Sequence, residues 1–462
     1  MELDDGPQRT CLFWQKISFG LGHIFNDLCA AMWFSYTLFY LQVVLIMKAT
    51  TAGTLLMVGQ VVDSLATPLA GWALDYTGHR RLWHLGGTVA VAIGFSLIFS
   101  LRPIDFDTSV ILYYVLVITL FQIGWAIVQI SHLSLIPEIS SSHRHSSDLT
   151  AIRYTASVCC SISVYIITLI ILKHEEHVPV GPNDFYRFKE ITLIITFIGI
   201  LASMLFYCGL LGTYDTEYAE ISGAENEDLN LCAEKSDTHF LRTVTIYCVS
   251  LMYMASRLFT TLNLIYIPLY IDERGDLEVA DKENMRETIA SVPLVSYLAS
   301  FLTALFLKFR MKILRDKVVY LIGSLIGLSA SAWIGVGVSP SSDGELYMIA
   351  VLIGISGSST MVACLCLTAN FVKSNGYGGG RVYSMVTFTD KLISGGVVLL
   401  VQYLFVQVSG DSVHPGIFCP HYYEKVLSYI CGLVSLTGLL SLVSLEMRIK
   451  KNMRYTQAAA VF

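Results

Sequence analysis

Residues 59–81 read GQVVDSLATPLAGWALDYTGHRR and decide the fold of this chain. The stretch belongs to an apolar run that is long enough to cross the ~30 Å hydrocarbon core of a bilayer as a helix. One carboxylate, Asp63, interrupts that run. The stretch ends in a spaced set of small, acidic and basic residues: Gly71, Asp75, Gly78, Arg80 and Arg81. Because a glycine permits close helix approach and arginines anchor at the cytoplasmic face, the pattern predicts a membrane helix followed by a tight cytoplasmic loop.

Eleven further apolar runs surround this one. Of the 462 residues, 54% are hydrophobic and only 14% are charged, whereas a soluble chain carries far more charge. Because the first run holds Asp27 and lacks a small-residue cleavage site, it predicts a retained helix rather than a removed signal peptide. The chain is therefore expected to be an all-α membrane protein, with transmembrane helices near 17–47, 51–74, 83–101, 109–135, 147–172, 188–212, 241–271, 288–308, 317–338, 345–372, 382–408 and 423–446.

A long polar segment divides these helices into two groups of six. Residues 213–240 are acidic and poor in large apolar side chains, which is typical of a solvated loop. The expected organisation is a cytoplasmic N-terminus, an N-terminal bundle, a linker loop, a C-terminal bundle and a cytoplasmic tail: 1–16, 17–212, 213–240, 241–446 and 447–462. Basic residues collect in loops that fall on one side of the membrane, and the positive-inside rule places both termini in the cytoplasm.

Four charges lie inside apolar runs: Asp27, Asp63, Arg153 and Lys391. A charge at mid-bilayer depth costs several kcal/mol, so membrane proteins rarely keep one without a use. The four residues therefore predict a shared internal site for a solute or an ion. The alternative is a structural ion pair that only positions helices, for example Asp63 with Arg153.

Polar residues at helical spacing extend this site. His23 lies four residues before Asp27 and shares its helix face. Thr67 follows Asp63 by four, and Gln129 and His132 lie three apart in the fourth run. These side chains line a cavity or hydrogen-bond between helices. No nucleophile–base pair, metal-ligand spacing or basic stripe is evident, so we expect no enzyme activity, cofactor, metal site or nucleic-acid partner.

Five segments carry a resemblance to a known family: residues 22–36, 59–75, 121–138, 149–158 and 383–395. They resemble the glycoside–pentoside–hexuronide cation symporter branch of the major facilitator superfamily, and the resemblance extends over about 17–446. It implies two six-helix bundles that rock around a central site. Asp27, Arg153 and Lys391 match substrate or central-site positions, and Asp63 matches the first of two cation-site carboxylates. Thr67 and Gln129 stand where the family has carboxylates, which favours protons over sodium.

The resemblance and the polar residues at helical spacing together predict substrate binding by six residues: Asp27, Arg153, Gln129, Lys391, His23 and His132. They also predict cation or proton coupling by Asp63, Asp27 and Thr67, and the resemblance to the superfamily makes the loop of Gly71, Asp75, Arg80 and Arg81 a conformational loop. The chain is also similar to a lysosomal and melanosomal member of the superfamily that is needed for moving cysteine into the organelle, which implies cysteine as the substrate. Tyr218 and Ile221 fit a tyrosine-based signal for a sorting adaptor. The rival functions are a cation-coupled sugar or lysolipid symporter and a non-transporting membrane scaffold.

Overall fold

The structure is a computed structural model of the chain. It describes the backbone of residues 16–77, 79–101, 108–135, 143–173, 180–211, 244–277, 285–310, 315–338, 343–375, 379–409 and 421–459. Within these ranges the ordered elements are helices joined by turns and short irregular segments.

Twelve long helices follow one another along the described chain. Their bounds are α1 Ile24–Phe39, α2 Ala49–Thr77, α3 Arg80–Ile98, α4 Thr108–Ser134, α5 His143–Leu172, α6 Phe185–Leu211, α7 Val244–Leu277, α8 Met285–Arg310, α9 Asp316–Val336, α10 Asp343–Asn375, α11 Gly379–Ser409 and α12 Cys431–Ala459. A helical turn at Tyr422–Lys425 and a π-helical turn at Val426–Ile430 lead into α12. The last helix continues beyond the span expected from the sequence, which ended at residue 446.

These helices have the length and composition of membrane spans. In the part of the chain that the structure describes, eleven are long and apolar enough to cross a bilayer. Large apolar side chains also cover their outer faces, as at Ile170 and Phe197, which are 67% and 70% exposed. A helix that is apolar on its exposed face suits lipid rather than water. The all-α transmembrane fold expected from the sequence is therefore confirmed.

The first helix differs from the single run over 17–47 that the sequence predicts. Residues 16–21 are helical, Gly22 and His23 form a turn, and α1 then runs to Phe39. A π-helical turn at Tyr40–Val44 completes the helix, with the Leu45 amide bonded to the Tyr40 carbonyl at 2.9 Å. Hydropathy reports apolar length and is insensitive to such local changes of backbone path.

The chain forms two compact units. Unit 1 comprises residues 1–33, 65–164 and 186–238, and unit 2 comprises residues 34–64, 165–185 and 239–462. Helices α1, α2 and α5 contribute residues to both units, as does α6 through its first residue, Phe185.

Glycines set the helix spacing in unit 1. Helices α3 and α4 pack closely, and a Cβ added at Gly94 would lie 2.8 Å from the backbone of Phe121. Such a distance is below van der Waals contact, so only glycine fits there. Close backbone approach of this kind is a usual basis of helix association in membranes, where no hydrophobic force draws helices together.

Buried polar contacts tie segments together in unit 2. Arg286 donates to both carboxylate oxygens of Asp184 at 2.7 and 3.0 Å, and both side chains are almost fully buried. Glu273 accepts the backbone N–H groups of Tyr422 and Tyr423 at 2.6 and 2.9 Å. Two-point hydrogen bonds of this kind fix orientation as well as distance, so they hold the segments in one register.

The π-helical turn at Tyr40–Val44 is also held by polar contacts in unit 2. Gln42 donates to the side-chain oxygen of Gln402 at 2.7 Å and accepts from the Tyr423 hydroxyl at 3.0 Å. Since these two bonds use both the oxygen and the nitrogen of the side-chain amide, they hold the half-buried Gln42 firmly.

Candidate functional site

The first helical segment, residues 16–44, is called helix 1 here and is interrupted at Gly22 and His23. The first charged cluster lies beside this interruption. The Gly22 amide bonds to the Phe19 carbonyl at 3.2 Å in a tight turn. Two histidines donate to carbonyls at this turn: His132 of α4 to Phe19 at 2.8 Å, and His84 of α3 to Gly22 at 3.1 Å. Both histidines are fully buried. They add side-chain hydrogen bonds to buried backbone carbonyls at the interruption.

The two supporting histidines have fixed ring orientations. His84 binds the Tyr207 hydroxyl through Nδ1 at 2.6 Å, and Phe19 stacks on His132 at a centroid distance of 4.2 Å. A Cβ at Gly22 would lie 2.7 Å from the Phe206 ring, so glycine is required for this packing. The turn is thereby locked, and it delivers His23 directly to the start of α1.

His23 connects the two opposite charges of unit 1. Its Nδ1 lies 2.9 Å from Oδ2 of Asp27, one turn along α1. Its Nε2 lies 3.0 Å from Nη2 of Arg153, which α5 supplies. Because a guanidinium only donates, Nε2 must accept, and the neutral ring then carries its proton on Nδ1, towards Asp27. The three side chains form a continuous series from carboxylate to imidazole to guanidinium.

This series leaves hydrogen-bonding capacity unused. Among the described residues, Arg153 Nε has no hydrogen-bond partner, and neither His23 Nδ1 nor Asp27 Oδ2 makes a bond of good angular geometry. A guanidinium has five N–H donors, and the bond to His23 uses one of them. A carboxylate and a guanidinium in one buried cluster can bind a ligand that carries an ammonium and a carboxylate group.

The second charged cluster lies in unit 2. The Lys391 ammonium of α11 lies 2.6 Å from Oδ2 of Asp63 in α2, and 7% of the Asp63 side chain is exposed. Asp63 thus pairs with Lys391, and Arg153, the partner considered from the sequence, instead bonds to His23. A charge that is buried and paired is far less costly than one that is buried alone.

Gly395 explains how Lys391 reaches Asp63. It lies one turn beyond Lys391 on α11, and a Cβ there would lie 2.8 Å from Met57 and 2.9 Å from Gln60 of α2. The two helices therefore touch at this glycine, which brings the lysine side chain to the carboxylate.

Asp390, the neighbour of Lys391, has a partner of its own. Its Oδ2 lies 3.4 Å from Nε of Arg257 in α7, and its Oδ1 accepts the Ser394 hydroxyl at 3.3 Å. Adjacent residues on a helix point in different directions, which is why the two opposite charges do not neutralise each other.

The remaining predicted site residues have varied positions. Gln129 and Thr67 are half-buried on α4 and α2, whereas His132 is fully buried against the helix 1 turn. In the conformational loop, Arg80 donates to the Ser134 carbonyl at 2.9 Å, and Gly71 lies within α2. The Asp75 side chain, Tyr218 and Ile221 lie outside the described residues. Sequence reasoning missed His84, although the pair Gly20 and Gly22 signalled a break in helix 1.

Comparison with known proteins shows which family this chain belongs to. The family model described as "MFS/sugar transport protein" matches residues 18–446. The chain belongs to this family of the major facilitator superfamily. It is 33% identical to major facilitator superfamily domain-containing protein 12 of Mus musculus over 474 aligned residues, which cover 95% of this chain and 94% of the relative. The human protein of that name is 32% identical, with 93% and 92% covered.

Solved structures support the fold of this major facilitator superfamily member. The inward-open xylose transporter XylE from E. coli superimposes with a TM-score of 0.62 at 13% identity, covering 94% of this chain and 95% of that one. Identity at this level shows the fold alone. The family resemblance inferred from the five segments of the sequence is thus confirmed. The protein is a multi-pass membrane transporter of this superfamily.

Proposed function

We propose that this chain moves a small zwitterionic solute, cysteine, into lysosomes or melanosomes by alternating access between two six-helix bundles, with both termini in the cytoplasm. The observation that carries the proposal is the buried series Asp27–His23–Arg153. An amino acid needs one anionic and one cationic partner, and this series supplies both within hydrogen-bond reach of a single imidazole. A sugar offers neither charge and would leave both side chains without a charged partner.

The second cluster supports a carrier that does not use sodium. In the related symporters a pair of helix 2 carboxylates serves the cation, and here Thr67 stands at the second position. The Lys391 ammonium at 2.6 Å supplies Asp63 with a permanent positive partner. An inorganic cation would have to displace this ammonium from the carboxylate. Coupling to an ion is therefore left to a proton.

The direct experiment is labelled cysteine uptake into intact lysosomes from cells that lack the chain and from cells that express it. Asp27→Asn and Arg153→Gln should each abolish the protein-dependent uptake, because each removes one charge from the zwitterion's partners. Lys173→Gln is the matched control, since its ammonium pairs with Glu287 at 3.0 Å on an exposed surface outside the cluster. Uptake that survives both cluster variants would contradict the site.

The rival functions give different results in the same organelles. A sugar or lysolipid symporter would show no protein-dependent cysteine uptake while carrying its own labelled solute. A membrane scaffold would tolerate neutral substitutions at the buried charges and would depend on residues 213–240. A sorting adaptor is tested separately, since Tyr218→Ala should leave transport intact and move the protein to the cell surface.

A further inference from the structure

The two ring nitrogens of His23 face opposite charges, and the contact with Arg153 fits a neutral ring. Arg153 donates to Nε2 at 3.0 Å, so that nitrogen holds a lone pair. The other nitrogen, Nδ1, lies 2.9 Å from Asp27. A proton can bind Nε2 only if Arg153 withdraws, and the resulting imidazolium would then rely on Asp27 for its counter-charge.

The groups that face His23 leave Asp27 as its sole described anion. Asn26 Nδ2 lies 3.5 Å from Nε2 on the same helix, and Arg153 comes from α5. The His132 ring of α4 lies 5.3 Å from His23 between centroids, and His84 of α3 lies 6.0 Å from His132. His84 and His132 each donate through Nε2 to a backbone carbonyl of helix 1. One carboxylate therefore serves every positive charge that the cluster can acquire.

A substrate ammonium would need that same carboxylate. With His23 neutral, Asp27 and Arg153 balance each other, and a zwitterion adds no net charge. The remaining Arg153 donors can hold the substrate carboxylate while the bond to Nε2 stays in place. With His23 protonated, an incoming ammonium would place two cations on one buried carboxylate, which a low-dielectric site strongly disfavours. We propose that the proton on His23 and the substrate ammonium exclude each other at Asp27, so that unit 1 exchanges one proton for one zwitterion.

This inference rests on the proposed function and fixes its coupling as antiport rather than symport. The proton leaves Nε2 when the substrate binds from the cytoplasmic side, and it returns to Nε2 after the substrate has left into the lumen. An acidic lumen then favours accumulation, because protons flow outward as cysteine moves inward. Symport would instead have to carry protons into a compartment that is already acidic.

The test is made on the purified full-length protein in detergent and weak buffer. Cysteine binding should release about one proton per bound molecule in the pH range where His23 is protonated in the substrate-free protein and neutral in the complex. On the acid side of this range, the apparent dissociation constant should rise about tenfold per pH unit, as for competition with a single proton. Proton uptake on binding would show symport and overturn the inference, and so would the absence of any proton exchange in a protein that binds cysteine.

The proton is assigned to His23 by nuclear magnetic resonance of protein labelled with 15N-histidine. His23→Asn identifies the His23 ring signal by its loss, which requires only a folded protein. Cysteine should move the titration of that signal to lower pH, whereas the His84 signal, identified with His84→Gln, should stay in place. A His23 signal that ignores cysteine in a protein that binds it would overturn the assignment. If the wild-type protein binds and transports no cysteine at all, the proposed function itself fails.

In liposomes the same exchange predicts a direction. An acidic interior should accelerate cysteine uptake, and an acidic exterior should slow it. Lys173→Gln should keep this response, because its ammonium pairs with Glu287 on an exposed surface outside the cluster. Uptake by wild-type protein that responds to neither interior nor exterior pH would overturn the exchange while leaving cysteine transport itself established.

Discussion

The ammonium of Lys391 lies 2.6 Å from the carboxylate of Asp63, and both side chains are largely shielded from solvent. Each charge thus has a close partner of opposite sign. Removing one partner of a buried pair leaves an uncompensated charge and costs about 3–5 kcal/mol, whereas replacing both partners is often nearly neutral.

We therefore expect Asp63→Asn and Lys391→Gln each to lower the melting temperature of the purified protein. The double variant should recover much of that loss, because it leaves no unpaired charge. Thermal unfolding in detergent, arranged as a double-mutant cycle, measures the coupling. Additive effects of the two single changes would mean that the pair contributes nothing to stability.

The same pairing predicts that sodium is dispensable. Replacement of sodium by choline should leave the uptake rate of the wild-type protein unchanged, since Lys391 already neutralises Asp63. Lys391→Ala removes the ammonium from Asp63, and sodium should then raise the melting temperature of this variant selectively over choline. The control is the wild type in the same salts. Sodium-dependent uptake by the wild type would contradict the pairing as the basis of coupling.

Substitution by alanine should destabilise the protein at Gly395 more than at its neighbour Gly396. A methyl group at Gly395 meets Met57 and Gln60 within 2.9 Å, whereas one at Gly396 meets nothing within 4 Å. Both changes to alanine gain the same helix propensity, about 1 kcal/mol. Gly395→Ala should still be less stable than Gly396→Ala by about 1–3 kcal/mol, the usual cost of overpacking. Equal melting temperatures would show that α2 and α11 separate freely.

Arg153 should not be replaceable by lysine. A guanidinium can donate to His23 and to a substrate carboxylate at once, whereas an ammonium is a single point charge. Losing a charge-assisted hydrogen bond of about 1.5–3 kcal/mol should weaken cysteine binding by about 10- to 100-fold. The measurement is the KM of labelled cysteine uptake in liposomes, with protein folding checked by melting temperature. A KM close to that of the wild type would contradict the proposal that Arg153 binds the substrate carboxylate.

The sequence alone was enough to predict the membrane helices and the presence of charges inside them. Apolar length alone marks a membrane span, and a charge inside such a run is conspicuous without any coordinates. The sequence could not predict which of these charges pair, because Lys391 reaches Asp63 through the contact of α2 with α11 at Gly395. Residues far apart in the chain meet according to helix packing, which hydropathy does not encode.

The turn at Gly22 and His23 shows a second limit. A helix interruption of two residues leaves the apolar run intact, so 17–47 was predicted as one span. The histidines that support the turn come from α3 and α4 and could be recognised only once their carbonyl partners were visible. The assignment of His132 to substrate binding stays a prediction. Its Nε2 bond to Phe19 shows that the side chain already serves the backbone.

The π-helical turn at Tyr40–Val44 has a consequence for how this chain is aligned with others. Such a turn contains one residue more than an α-helical turn, which rotates the side chains at its end by about 100° around the helix axis. Gln42 lies within this turn and bonds to Gln402 and Tyr423. A relative without the extra residue presents a different position to those partners. Correspondence beyond Tyr40 must therefore be established by helix face, since counting along the chain gives the wrong neighbour.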